Sequence, residues 1–171
     1  QTMATISTRI SIETDLGRIR LLMNLDAAPV TVEYIQKCVE AKLYDGTSFY
    51  RSDFVIQAGL YGTNKSNPFG DLSVNETSLH TKVSNTRGTA AIAHFDVPDN
   101  GNTEFFINLG TNAHLDDVYG GYCVFASVEE HDAESWGVVD AIADAIANKG
   151  VSRVSIREAS NTKYKEQGLV N

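Results

Sequence analysis

The chain is poor in cysteine and in positive charge, and each shortage removes a class of function. Its two cysteines, Cys38 and Cys123, lie far apart and match no zinc spacing and no redox motif. They are expected to be buried free thiols, because free cysteine is among the most buried residue types. One disulfide is the alternative, and no pattern supports it. Lys and Arg total 14 against 22 Asp and Glu, a formal net charge of −8. The basic residues are scattered, whereas phosphate contacts need them clustered, so no nucleic-acid partner is expected. No apolar run approaches the roughly 20 residues of a transmembrane helix, and no basic flank with an apolar segment marks a signal peptide. No membrane partner is expected. A cytoplasmic location is expected, with a processed secretory or periplasmic form as the alternative. Gln1 is not a translation start, so this terminus is expected to be processed or introduced. Asn64-Lys65-Ser66 and Asn75-Glu76-Thr77 are glycosylation sequons, which matter only in a secretory compartment.

What is present suits one globular domain spanning residues 1–171, with its core at about 6–157. A chain of this size buries roughly two thirds of its unfolded surface and needs no disulfide or metal to hold a core. Ile6, Thr8, Ile10 and Ile12 share one face of an extended segment, and Ile19, Leu21, Met23 and Leu25 share one face of the next. Thr14-Asp15-Leu16-Gly17 between them is turn material, so the two read as a β-hairpin. Pro29 opens a helix, where its missing N–H costs nothing. Val32, Ile35, Val39 and Leu43 recur at helical spacing, and Asp45-Gly46 stops the pattern. The runs around Phe54–Ile56, Ala90–Ala93, Phe105–Leu109 and Tyr122–Val128 read as strands. A second helix is predicted over Ala133–Asn148, capped by Asp132, striped by Val139, Ile142 and Ile146, and followed by Gly150. Val151–Ile156 reads as strand, and Thr162–Asn171 as a polar tail.

Several stretches then resemble one family, in the right order. Phe49-Tyr50-Arg51 followed by Phe54-Val55-Ile56-Gln57-Ala58-Gly59 resembles the cyclophilin signature: F-H-R, a short spacer, then F-M-I-Q-G-G. Asn85-Thr86-Arg87-Gly88-Thr89 with Ala91-Ile92-Ala93 resembles its N-x-R-G-x and S/A-M-A run. Thr103-Glu104-Phe105-Phe106-Ile107 resembles S-Q-F-F-I, and Leu115-Asp116 and Val124-Phe125-Ala126 resemble its L-D and V-F-G segments. Ala28-Pro29-Val30-Thr31 and Leu43-Tyr44-Asp45-Gly46-Thr47 fit as well. The spacing from Leu115 to Val124, with Gly121-Tyr122 inside it, looks like the bacterial branch, which carries Tyr where human-type members carry His.

The resemblance implies an all-β fold with two helices, an eight-stranded antiparallel β-barrel capped by two α-helices. It implies a peptidyl-prolyl cis-trans isomerase, monomeric and free of metal or cofactor. Its expected partners are Pro-containing peptides and unfolded or flexible protein segments. Such a reaction breaks no bond. The barrier to rotation, about 18–20 kcal/mol, falls if the enzyme binds the twisted amide better than either planar isomer. In the twisted state the proline nitrogen gains a lone pair, and a fixed donor aimed there, or at the flanking carbonyl, is favoured.

By resemblance Arg51 is the catalytic arginine, against the plain reading of a surface arginine in a salt bridge. Gln57 is expected to hold it and touch substrate backbone, against an exposed strand glutamine. Phe54, Val55, Phe106 and Leu115 are expected to wall an apolar proline pocket, against ordinary barrel core. Ala93 and His94 are expected to pair their backbone with a bound peptide, and Glu104, His114 and Tyr122 to line the substrate site. Four departures from the family pattern stand out. Only Ser52-Asp53 separate Arg51 from Phe54, two residues fewer than usual, which places Asp53 to pair with Arg51. Glu104 replaces Gln, favouring basic substrate residues or an ion pair with Arg51. Ala58 replaces a glycine. His114 replaces Trp or Phe, and weak cyclosporin binding is expected because that Trp helps bind the drug in human-type proteins. The rival reading is a non-catalytic module that captures Pro-containing segments. A third is a small β-barrel holding a lipophile.

Overall fold

Alternation of apolar residues decides which way each strand faces. In the computed structural model, which describes residues 6–95 and 97–165, β1 (Ile6–Thr14) and β2 (Gly17–Met23) form the expected hairpin. Ile10 and Ile12 of β1 and Ile19, Leu21 and Met23 of β2 are buried on one face. Helix α1 (Pro29–Glu40) follows, then β3 (Ser48–Ser52), β4 (Val55–Gly59), β5 (Thr89–Ile92), β6 (Phe105–Asn108) and β7 (Val124–Ser127). Helix α2 (Ala133–Asn148) and β8 (Val154–Lys165) complete the order. The strands close into a barrel in the order β1-β2-β7-β5-β6-β4-β3-β8, with every pairing antiparallel. This is the expected eight-stranded barrel with two helices.

The interior is packed. Ile56, Ala58, Ala90, Ile92, Phe105, Ile107, Phe125 and Ile156 point inward, and the helices add Ile35 and Val39 from α1 and Val139 and Ile142 from α2. Phe105 sits edge-on to Tyr44, Phe49 and Phe125, with ring centroids 5.5, 6.2 and 6.4 Å away. The void left among these side chains is about 10 Å³, room for one water at most. A barrel carrying a lipophile in its lumen is therefore excluded. Cys38 and Cys123 are buried and form no disulfide, as expected, and burial pushes both thiols up to about 11.

The structure corrects four elements. Leu25 is exposed, because β2 ends at Met23 and the Asn24 carboxamide accepts from the Ala27 N–H at 3.1 Å to start a turn. Helix α1 ends at Glu40, and Leu43 is buried directly after a left-handed Lys42 at φ 60°. Strand β3 is not read from the sequence at all, because it carries too few apolar residues to show alternation. Strand β8 begins at Val154 and runs to Lys165, so Thr162–Lys165 are paired to β1 and are no tail. Backbone hydrogen bonds hold that stretch and need no apolar side chain. Residues 166–171 of the expected tail lie outside the described residues.

Two carboxylates fix the helices. The N-terminus of α1 follows Ala28, which has no side chain to cap it. Glu76, only 1% exposed, does so from the long loop between β4 and β5. Its carboxylate accepts from the N–H groups of Val30 (3.2 Å) and Thr31 (2.7 Å) and from the Thr31 hydroxyl (2.7 Å). A negative charge is favoured at that end of the helix dipole. In the same loop the Asn75 amide of one sequon donates to the Gly121 carbonyl at 2.8 Å and so is built into the fold. Asp132 caps α2 as expected, accepting from the Ser135 N–H at 3.2 Å, and Arg20 donates to both its oxygens. Burial alone would raise the Asp132 carboxyl, but Arg20 and Ser135 outweigh it and hold it at about 2.

Glu76→Ala should lower the unfolding free energy by about 2–4 kcal/mol, because it strands several buried donors. Urea titration with an unchanged m-value checks this. Asp132 has a folded-state pKa below its unfolded value of about 3.9, so its contribution is present above that pH and lost as pH falls through about 2. Asp132→Asn should therefore flatten the stability-versus-pH curve between roughly pH 4 and 2, read by thermal melts across that window.

Candidate active site

The alternation that fills the barrel also leaves an outward-facing set on β4, β5, β6 and β7. Val55, Ala91, Phe106, Leu115 and Val124 form a buried cluster apart from the barrel core, with Val83, Ala93 and Tyr122 against it. In Phe105-Phe106, adjacent rings thus point to opposite sides: one fills the barrel, the other floors an external pocket. Strand register sets the rest. Arg51 lies opposite Gln57, Gln57 opposite Phe106, Phe106 opposite Ala91 and Ala91 opposite Val124. One row across five strands runs from a cation, through an amide, to an apolar floor.

Arg51 joins that row through a β-bulge. Phe49 pairs with Ala58 but Arg51 pairs with Gln57, so Tyr50 is an extra residue on β3. Phe49 is fully buried in the barrel. Strict alternation would send Arg51, two residues on, to the same side. The bulge turns it outward.

The resulting cleft has a volume of about 290 Å³. It is lined by Arg51, Phe54, Val55, Gln57, Ala93, His94, Phe95, Phe106, Leu115 and Tyr122. Nine of the residues expected from sequence therefore converge. Arg51 donates from a terminal nitrogen to Gln57 Oε1 at 2.8 Å and from Nε to Asp53 Oδ2 at 2.8 Å. The short spacer makes a tight turn, with Asp53 Oδ1 accepting from the Val55 N–H at 3.1 Å. Both members of the Arg51–Asp53 pair are more than 40% exposed, so water screens it. Phe54 is 43% exposed and lies against Arg51, whose guanidinium carbon is 5.3 Å from its ring. His94 stacks on Tyr122 at 4.1 Å, with Nε2 2.8 Å from the Gly121 carbonyl and Nδ1 2.6 Å from that of Phe95. The Ala93 N–H is engaged by the Glu104 carbonyl at 2.9 Å.

The other two expected residues stand apart. His114 is exposed and outside the cleft lining, its ring 5.7 Å from that of Phe54. Glu104 lines the adjoining hollow with Gln57, Ala93 and His94, and it does not pair with Arg51. Its carboxylate instead accepts from the Leu60 N–H (2.8 Å), the Tyr61 N–H (3.3 Å), the Thr103 hydroxyl (2.9 Å) and the Tyr50 hydroxyl (2.8 Å). It needs Gly59 beneath it, at φ 153°, since a Cβ there would lie 2.1 Å from Oε2.

Beneath the pocket runs a polar network that sequence reasoning missed. Fully buried Asn108 donates to Asn85 Oδ1 at 3.0 Å and accepts from Asn112 at 2.9 Å, and Asn112 donates to the Phe54 carbonyl at 3.1 Å. Asn85 donates to Asp116 at 2.9 Å and to the Tyr122 carbonyl at 3.1 Å. The network thus ties together the segments that carry Phe54, Leu115 and Tyr122. Burial tends to raise the Asp116 carboxyl, but Ser84 and Asn85 hold it below its usual range. The one signal in the sequence was asparagine within and just past an apolar strand. Phe95, 76% exposed on the cleft rim, and Tyr50 were also missed.

Comparison with known proteins follows the same geometry. The family model described as cyclophilin type peptidyl-prolyl cis-trans isomerase/CLD matches residues 9–161. The chain is 33% identical over 146 residues to a peptidyl-prolyl cis-trans isomerase of Acinetobacter baylyi, covering 82% of this chain and 74% of that one. It is 35% identical over 155 residues to a peptidyl-prolyl cis-trans isomerase of Streptomyces antibioticus, covering 86% and 87%. A crystal structure of a cyclophilin type peptidyl-prolyl cis-trans isomerase from Cryptosporidium parvum shares the fold. Its TM-score is 0.75 at 15% identity, over 92% of this chain and 98% of that one.

Proposed function

The chain belongs to the cyclophilin-type peptidyl-prolyl cis-trans isomerases, and from that premise we propose that the outward cleft is where the X–Pro bond turns. The observation that carries this reading is the row in which Arg51 and Gln57 flank the pocket floored by Phe106 within one cleft. The proline ring enters the pocket of Val55, Phe106 and Leu115, where burying it contributes a few kcal/mol at most. That holds one side of the amide while the other turns. As resonance is lost, the guanidinium of Arg51 meets the developing lone pair or the flanking carbonyl. This interaction is stronger in the twisted state than in either planar one, which is what lowers the barrier. Gln57 holds Arg51 through its carbonyl. The reaction needs no cofactor, and one chain supplies every group, so a monomer suffices. The substrates are Pro-containing peptides and flexible protein segments. Asp53 at 2.8 Å from Arg51 is what favours the rival reading of a weak or non-catalytic binding module. Because both side chains are exposed, water screens that pair, and the Asp53 carboxylate holds the guanidinium only weakly.

NMR exchange or protease-coupled assays on an X–Pro peptide test the reading. Arg51→Ala should slow isomerisation about ten- to a thousand-fold, the scale of losing one aimed donor, with the melting temperature nearly unchanged. A variant as fast as its parent would remove Arg51 from the mechanism. Cyclosporin should inhibit weakly, because the exposed imidazole of His114 offers a smaller apolar face than an indole and a donor in another place. Titrating the same assay should show His114→Trp tightening inhibition by about ten- to a hundredfold. No tightening would mean that position 114 does not face the drug.

A further inference from the structure

Two positions where this chain departs from the family signature meet in one hydrogen bond. Tyr50 stands where F-H-R has His, Glu104 stands where S-Q-F-F-I has Gln, and the Tyr50 hydroxyl donates to Glu104 Oε1 at 2.8 Å. The bond sets a direction. A carboxylate only accepts, so the Tyr50 proton is committed to Glu104. The phenol oxygen is then left to accept, and it does so from Gln57 Nε2 at 2.9 Å. With Nε2 turned to Tyr50, Gln57 Oε1 faces Arg51, which only donates and does so at 2.8 Å. Each link has a single allowed sense, Arg51 to Gln57 to Tyr50 to Glu104. The acceptor end is anchored by the Leu60 and Tyr61 N–H groups and the Thr103 hydroxyl. Burial, and then the neighbouring carboxylate, push the Tyr50 phenol well up, so it keeps its proton.

We infer that Tyr50 and Glu104 are a positioning pair that fixes the orientation of the Gln57 amide and, through it, the aim of Arg51. This rests on the isomerase reading of the cleft. It places Glu104 beside the cleft, in the adjoining hollow, acting through Tyr50 and Gln57. Glu104→Gln makes the logic explicit. The new carbonyl stays on the Leu60 N–H and the Thr103 hydroxyl, the longer Tyr61 contact is given up, the new amide donates to Tyr50, and the phenol proton turns to Gln57 Oε1. Gln57 Nε2 then faces Arg51, donor against donor, and their bond is lost.

The test is isomerisation kinetics of the full chain by NMR exchange, with kcat and KM separated, for the parent, Tyr50→Phe, Glu104→Gln, Gln57→Ala and their pairwise combinations. Tyr50→Phe and Glu104→Gln should each lower kcat about three- to tenfold with KM nearly unchanged. In a Gln57→Ala background each loss should shrink below about twofold, because both act through that amide. Losses that persist undiminished without Gln57, or that appear in KM and melting temperature alone, overturn the inference. So does an active parent whose kcat is untouched by Tyr50→Phe. A parent with no isomerase activity overturns the isomerase reading instead, and the inference is then decided by spectra. Tyr50→Phe should shift the signals of the Gln57 side-chain NH2 and of the Arg51 terminal Nη–H that meets Gln57, and unshifted signals overturn it.

Discussion

The site depends on one extra residue in a short strand. Between Phe49, sealed in the barrel, and Arg51, facing solvent, strict β alternation has no solution, since residues two apart share a face. Tyr50 breaks the count. Its insertion leaves Phe49 with the core and delivers Arg51 to the outer wall, where register sets it opposite Gln57. The phenol of the inserted residue reaches the same glutamine. One local irregularity thus supplies both the orientation of the cation and its brace.

Inside and outside then do separate jobs. The barrel interior is packed, the void among its side chains near Phe105 and Phe125 being about 10 Å³, so its residues set stability and shape. The pocket is made by the alternate residues of the same strands, Val55, Ala91, Phe106 and Val124, with Leu115 laid over them by a 3₁₀ turn. Such a pocket is rigid because its floor is a sheet whose other face is packed. The asparagine network beneath it ties the loops that carry the pocket walls to that sheet.

Much of this was legible in the sequence because it rests on periodicity or on local chemistry. The hairpin, the start of α1 at Pro29 and both ends of α2 follow from alternation, helical spacing and the Asp132 cap. Nine of the eleven proposed site residues line the cleft because the signature stretches carry their register with them. What was not legible rests on pairing between distant segments. The polar end of β8 is strand only because β1 lies beside it. Glu104 turned away from Arg51 because backbone donors at Leu60 and Tyr61 claim it, and a backbone donor leaves no mark in a sequence. His114 lies in a short helical turn whose facing no period specifies.

The last strand joins two distant parts of the chain. Residues of β8 pair with β1 from Ile6↔Lys165 to Thr14↔Ile156, and with β3 at Ser48 and Phe49. During synthesis, β1 and β3 therefore each wait with a bare backbone edge until β8 has emerged. Closure by so remote a partner is slowed by the entropy of first gathering the loop between them, a cost that grows with the logarithm of its length. Open edges are in the meantime templates for pairing with other chains. A protein built to hasten the turning of proline bonds in other chains is thus, while still a nascent chain, a candidate for chaperone protection itself.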